Sequence, residues 1–231
     1  MKIRLKVNGI IMVLSCFLVA FFPAFFFRRL NFGTGDEIME ITGISCILLG
    51  QIFRVSARGY KSDNSKEGRA LIAGGPYALV RNPMYLGILL IGLGVVLMLF
   101  NWWVAVIFLT VFVIRYIFLI FIEEKKLEGL FSKDFLEYKK KVPRIFPTLK
   151  QVLKSDMREY LPIKLTWIKK EIGSMLALLF IVLLVESWRD IMAGGIEVYL
   201  WEAQRILALI ALFIGLVAYL SKSTKHAPDK S

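Results

Sequence analysis

Long apolar runs, punctuated by short basic segments, limit what this chain can fold into more than any other feature of it. A helix that crosses a bilayer needs roughly 20 mostly apolar residues, with a range of about 17–25. Six runs qualify or come close: Ile10–Phe27, broken only by Pro23; Ile38–Phe53, short and carrying Glu40; Met84–Phe100; Trp102–Ile122; Ile172–Ser187; and Val198–Leu220. Asn101 alone separates the third run from the fourth, so these two are expected to form a tight helical hairpin. Glu186, Glu202 and Arg205 sit near the ends of the last two runs. The expected fold class is all-α: a polytopic transmembrane helix bundle of about six spans.

Charge tests this division independently. The chain is 57% hydrophobic yet carries 30 Lys and Arg against 18 Asp and Glu, a net charge of +12. If the six runs are spans, 25 of the basic residues fall in the N-terminus, segments 54–83 and 123–171, and the tail, all on one side. The other side holds only Arg28, Arg29 and Arg189, while Arg115 and Arg205 lie within runs. Basic residues collect in cytoplasmic loops, so both termini and both long loops are expected in the cytoplasm. The basic charge is then a membrane-side surface rather than a nucleic-acid footprint, and no nucleic-acid partner is expected. Such hydrophobicity excludes intrinsic disorder, and two cysteines exclude a disulfide scaffold. Cys16 and Cys46 both fall inside spans and read as packing residues. Met1–Phe27 lacks a small-residue cleavage site after its apolar stretch and reads as a span rather than a cleaved signal.

The single histidine, His226, lies in the polar tail, which excludes most metal sites and His-based nucleophilic triads, and no metal is expected. Gly92-Leu93-Gly94 reads first as close helix packing. Two boundary segments carry more. The first is Gly74-Gly75-Pro76-Tyr77-Ala78-Leu79-Val80-Arg81-Asn82-Pro83-Met84-Tyr85-Leu86-Gly87. Here Asn82 suits a helix N-cap and Pro83 the first helical position. Tyr77, Arg81 and Tyr85 cluster beside that anion-attracting terminus. The second is Glu123-Glu124-Lys125-Lys126-Leu127-Glu128, straight after the fourth run. Adjacent carboxylates are awkward at the C-terminus of a helix, and they would stabilise a sulfonium or an amino group. Phe131 to Pro147 follows, aromatic and basic, and reads as a helix on the membrane surface.

Together, in this order, these segments resemble the isoprenylcysteine carboxyl methyltransferase and phospholipid methyltransferase superfamily. Its pattern of Gly-x-Tyr, Arg-His-Pro-x-Tyr-x-Gly, a helical hairpin, Glu-Glu-x-x-Leu and Tyr near a terminal Pro is met by Gly75-Pro76-Tyr77, Arg81-Asn82-Pro83-Met84-Tyr85-Leu86-Gly87, Glu123-Glu124-Lys125-Lys126-Leu127, Tyr138 and Val142-Pro143-Arg144. Asn82 replaces the more usual His and cannot titrate near neutral pH. The resemblance implies S-adenosylmethionine as methyl donor, bound in a cytoplasmic segment. It places Tyr77, Arg81, Asn82, Tyr85 and Gly87 along the cofactor, Glu123 and Glu124 on its amino group or ribose, and Leu127, Phe131 and Tyr138 at its adenine. Arg144 is expected to orient a carboxylate acceptor. Arg115, eight residues before Glu123 and roughly 12 Å deeper, is expected either to face the acceptor pocket or to snorkel. A charge inside a span costs at least ~2.5 kcal/mol and needs such a reason.

The implied partners are the bilayer and a membrane lipid or lipidated substrate. The match covers about residues 70–150, leaving 1–69 as an N-terminal two-span region and 151–231 as a two-span extension that opens with a basic stretch, Lys154–Lys170, broken by Pro162. Two other readings stand beside a methyltransferase: a membrane reductase of the sterol or enone type, and a non-enzymatic scaffold or transporter subunit.

Overall fold

The computed structural model describes residues 17, 21–28, 34–65, 70–148 and 157–222. Within them lie seven helices: α1 (Pro23–Phe26), α2 (Thr34–Asn64), α3 (Pro76–Leu79), α4 (Pro83–Leu99), α5 (Trp102–Lys141), α6 (Met157–Tyr160) and α7 (Leu165–Lys222). The described residues form an all-α bundle whose one extended contact is an isolated bridge between Phe27 and Phe100. Three segments are long and apolar enough to cross a membrane: α2, α5 and Tyr199–Ser221 of α7. The shorter α4 is as apolar, and Ile172–Ser187 lies in the first arm of α7. Ile10–Phe27 falls outside the described residues except at its end, as do Cys16, His226 and the start of the basic stretch at Lys154.

Backbone-to-backbone packing of α2 against α4 organises the bundle. Gly43 meets Gly94, and Gly50 meets Gly87. Each pair of glycines is seven residues apart, two helical turns, so both lie on one face of their helix. The numbers run in opposite directions, so the helices are antiparallel. A Cβ on Gly50 would lie 2.7 Å from the Gly87 carbonyl oxygen, and one on Gly87 would lie 2.8 Å from that of Gly50. Side chains at these positions would push the helices apart. In a bilayer, where burial from lipid drives little, this close approach is the main source of helix association. Gly92 faces the other way and seats the Phe108 ring of α5.

Asn101 makes the turn from α4 to α5 as tight as the sequence implies. Its side-chain amide donates to the carbonyls of Phe25, at 2.9 Å, and Phe27, at 3.2 Å. The turn is thereby fastened to the end of α1 and the residue after it. Beyond it, α5 turns most of its apolar surface outward. Only 11% of its most apolar stretch is buried, and Ile107, Val111, Ile114, Phe118 and Ile122 are all exposed. Such a face suits lipid and not water.

Two helices run on past their apolar segments and then fold back. The basic segment after Glu123 is not a separate surface helix: α5 continues to Lys141 and breaks at Ser132, where φ is 38°. Residues 124 and 144 would be about 30 Å apart on a straight helix, yet their side chains are bonded at 3.0 Å. The chain must therefore reverse at Ser132. Likewise α7 reverses at Gly195, whose φ of 78° glycine adopts without strain. The returning arm brings Leu220 into one buried cluster with Ile52, Leu79, Leu161 and Ile163. The start of α7 is locked to α2 by ion pairs from Arg54 and Arg58 to Glu171, and by a hydrogen bond from Ser56 to the Pro162 carbonyl at 2.7 Å.

The helix contact makes a direct prediction. Gly87→Ala should cost about 1–3 kcal/mol, the usual penalty of overpacking. Gly173 has nothing within 4 Å of its Cβ position, so Gly173→Ala in the same kind of helix should be neutral or gain about 0.5–1 kcal/mol. Thermal unfolding in detergent checks both, and equal effects of the two substitutions would refute the packing argument.

Candidate functional site

The loop between α3 and α4 meets the chain just after α5 through backbone hydrogen bonds. The amide of Arg81 donates to the Pro143 carbonyl at 2.8 Å, and that of Asn82 to the Arg144 carbonyl at 3.1 Å. This short splice joins the two segments that the sequence singled out, although about sixty residues lie between them. Asn82 is the residue before α4 and Pro83 its first residue, as expected. Its side chain does not cap the helix, however. The Asn82 Nδ2 donates to the Arg144 carbonyl at 3.0 Å instead, which reinforces the splice.

Two arginines converge on one carboxylate. Glu124 is 5% exposed. Arg144 holds it with Nε at 3.2 Å and Nη2 at 3.0 Å, the forked geometry that suits guanidinium and carboxylate. Arg81 Nη1 lies 3.1 Å from Glu124 Oε1, the same oxygen that the Arg144 Nε bonds. The Arg144 guanidinium also rests 4.6 Å from the Phe121 ring centroid. Burial works against the positive charge of Arg81, and Glu124 works to keep it. Arg81 is nonetheless under-satisfied: it is largely buried, and neither its Nε nor its Nη1 has a well-aligned acceptor among the described residues.

Around this trio stand four tyrosines. Tyr138 donates to the Tyr77 carbonyl at 2.6 Å, which closes the folded-back end of α5 over the loop before α4. Burial pushes both of these phenols well above their ordinary pKa, so they stay protonated and act as donors. Tyr85 donates to Glu123 at 2.8 Å, and its ring lies 5.0 Å from that of Tyr116. Tyr116 stacks on Phe112 at 4.1 Å. Glu123 is exposed, in contrast to Glu124. Because α5 continues past them, the two glutamates are not at a helix C-terminus. The dipole penalty expected for them therefore does not arise.

The structure brings Tyr77, Arg81, Asn82, Tyr85, Glu123, Glu124, Tyr138 and Arg144 together. Leu127 and Phe131 are half-buried, one and two turns farther along α5, before the break at Ser132. Gly87 does not face this cluster. Its close approach is to the α2 backbone, because it forms one of the glycine pairs. Glu124 is engaged by two guanidiniums, and Arg144 is committed to Glu124. Arg115 is exposed on α5, 6.0 Å from the Tyr116 ring centroid. Sequence reasoning did not single out Tyr116, Phe112, Phe121 or Phe135. All four are ordinary apolar or aromatic positions in a helix, and only the folded packing marks them. Phe135, 1% exposed, is buried because the reversal at Ser132 turns that part of α5 inward.

Among known proteins, residues 38–134 match the family model described as phospholipid methyltransferase, of the superfamily that also holds the isoprenylcysteine carboxyl methyltransferases. The resemblance read from the two boundary segments is borne out over this stretch. The match takes in Tyr77 to Gly87 and both glutamates, and ends before Tyr138 and Arg144. No curated protein and no solved structure matches the chain.

The two glutamates should respond differently to neutralisation. Glu124→Gln leaves Arg81 and Arg144 without their counter-charge and should cost about 3 kcal/mol, as for a broken buried pair. Glu123→Gln removes one exposed acceptor and should cost about 1 kcal/mol or less. Thermal unfolding of both variants in detergent checks the order. Equal losses would mean that Glu124 is not the carboxylate holding the arginines.

Proposed function

We propose, from the phospholipid methyltransferase match over residues 38–134, that this chain is an integral membrane methyltransferase. It takes its methyl group from S-adenosylmethionine and passes it to a membrane-embedded lipid or prenylcysteine-like carboxylate acceptor. The family supports a membrane methyltransferase in general. The donor, the acceptor and the residue roles are our reading of this site.

The observation that carries the reading is the state of Arg81. A buried guanidinium with Nε and Nη1 lacking aligned acceptors is costly unless a ligand completes it. A carboxylate is the matching group, and the methionine part of S-adenosylmethionine presents one. Beside Arg81, Glu123 is exposed and free to accept from the ammonium of that same part. The Tyr85, Tyr116 and Phe112 rings offer faces that suit a sulfonium cation. We assign the adenine to Leu127 and Phe131, before the break in α5, and Tyr138, after it. Glu124 and Arg144 act through Arg81: together they hold the guanidinium and the splice in place.

When bound, S-adenosylmethionine would supply an electrophilic methyl carbon: the S–C bonding pair would stay on sulfur, giving a thioether, and the acceptor's nucleophile would supply the pair for the new bond to carbon. This chain's residues then need to align and dry the site rather than supply a strong base. A site with no histidine and with tyrosines held protonated suits that task. The acceptor approaches from the lipid along the exposed flank of α5, where Arg115 would steer an anionic headgroup or carboxylate.

The test is incubation of the purified protein with methyl-labelled S-adenosylmethionine and host lipid extract, with identification of the labelled product. Arg81→Ala should weaken cofactor binding at least about tenfold, given roughly 1.5–3 kcal/mol for hydrogen bonds to a charged group. Arg115→Gln should raise the acceptor KM and leave cofactor affinity alone. Absence of S-adenosylmethionine binding, or binding of a nicotinamide cofactor in its place, would overturn the proposal.

A further inference from the structure

The end of the bundle opposite Arg81 carries a second buried polar cluster, which a methyltransferase reaction does not use. Glu40 of α2 with Asp190 and Glu202 of α7, all buried, present carboxylate oxygens within 4.8 Å of one another. They come together because α2 passes the point where α7 reverses at Gly195. Glu186, one turn before Asp190 and 3% exposed, lies within electrostatic reach of all three. Among the described residues one of its oxygens, Oε2, has no hydrogen-bond partner, nor do Asp190 Oδ1 and Glu202 Oε2, while the Asp190 and Glu202 carboxyls also contact each other.

The described arginines nearby do not fully balance this charge. Arg28 approaches Asp36 at 3.4 Å and Glu40 at 3.7 Å. Arg205 reaches Glu37 at 3.2 Å, Glu202 at 3.5 Å and Glu40 at 3.9 Å. Arg189 is turned to backbone, donating to the carbonyls of Arg28 at 2.7 Å and Met98 at 3.3 Å. Four buried carboxylates, Glu40, Glu186, Asp190 and Glu202, thus face three guanidiniums, of which Arg189 is hydrogen-bonded to backbone carbonyls. A buried excess of negative charge must bind a cation or take up protons.

We infer that Glu40, Asp190 and Glu202, with Glu186 beside them, bind a hard divalent cation of calcium size. An all-carboxylate donor set selects calcium, magnesium or manganese over softer metals. The carboxylate oxygens lie within 4.8 Å of one another, no farther apart than two oxygens on opposite sides of a calcium ion bonded at about 2.4 Å. Magnesium keeps shorter bonds and most of its own water and suits a buried all-protein site less well. Held by the cluster, a calcium ion would tie α2 to both arms of the α7 hairpin. The expectation of no metal rested on the lack of histidine, and carboxylates meet across the fold without any sequence spacing to announce them.

The test is equilibrium binding of radioactive calcium to the full-length protein in detergent, with thermal unfolding followed in parallel. One saturable calcium per chain is expected, with a rise in Tm that EDTA reverses, calcium binding more tightly than magnesium, and affinity increasing with pH as protons are displaced. Asp190→Asn and, separately, Glu186→Gln should each lower calcium affinity at least tenfold. Arg81→Ala should leave it unchanged, so failure here is distinct from failure of the cofactor reading. No saturable calcium binding by the wild-type protein would overturn the proposal, as would full binding by a folded Asp190→Asn variant.

Discussion

The bundle and both of its charged ends hang on the distance between α2 and α4. With glycine at 43, 50, 87 and 94, the two backbones touch, and nothing can slide between them. That contact sets the register of the pair, and the register decides what meets at each end. Where α4 begins, the Arg81 loop lies against the end of α2, whose Tyr60 ring covers Gly74 and Gly75. Where α4 ends, Met98 and Leu99 lie beside Ile44, Ile47 and Val182 in a second buried cluster. A wider pair would loosen both ends at once, because no flexible element lies between them to absorb the change.

Onto this rigid pair the chain adds two reversals, and each one builds a charged site. The break at Ser132 returns Arg144 to Glu124 and Tyr138 to Tyr77. The break at Gly195 returns Glu202 to Asp190 and Arg205 to Glu40. Long helices interrupted once, rather than many short ones, suit a chain in lipid. Each interruption frees backbone groups that must be satisfied. Both interruptions lie at the ends of the apolar segments, where water and side chains can satisfy them. The positive φ at Ser132 is a strained choice for a residue other than glycine. It persists because the Arg144–Glu124 fork and the Tyr138 hydrogen bond hold both sides of the reversal.

How much of this the sequence discloses follows from the range of each interaction. Hydropathy is summed over some twenty residues, so the apolar segments of α2, α4, α5 and the two arms of α7 are legible, and Asn101 is legible as a turn. Motif residues placed at a helix entrance, such as Arg81, Asn82 and Tyr85, are legible because their spacing is local. The length of α5 was not, because a charged run after an apolar one looks the same whether the helix stops or continues. Gly87 shows the limit sharply. In the motif it sits among residues expected at a cofactor, but its neighbour is Gly50, thirty-seven positions earlier and visible only once the helices are paired. Asn82 shows it again: the residue type suits a cap, yet an acceptor sixty-two positions away, the Arg144 carbonyl, takes its amide.

The two ends of the bundle carry opposite imbalances of charge, and the same physics accounts for both. At the α4 entrance two guanidiniums share one buried carboxylate, and Arg81 keeps N–H groups without aligned acceptors. At the α7 reversal buried carboxylates outnumber guanidiniums, and among the described residues three carboxylate oxygens and the Arg28 guanidinium lack aligned hydrogen-bond partners. In water either imbalance would be solvated at little cost. Against lipid it is not, and an unpaired buried group costs more than its pairing gains. The first end therefore favours a ligand that brings a carboxylate, and the second a ligand that brings positive charge. Neither ligand is needed to hold α2 on α4, because the glycine contacts do that without any charged group. The scaffold thus tolerates an incomplete charge set at each end.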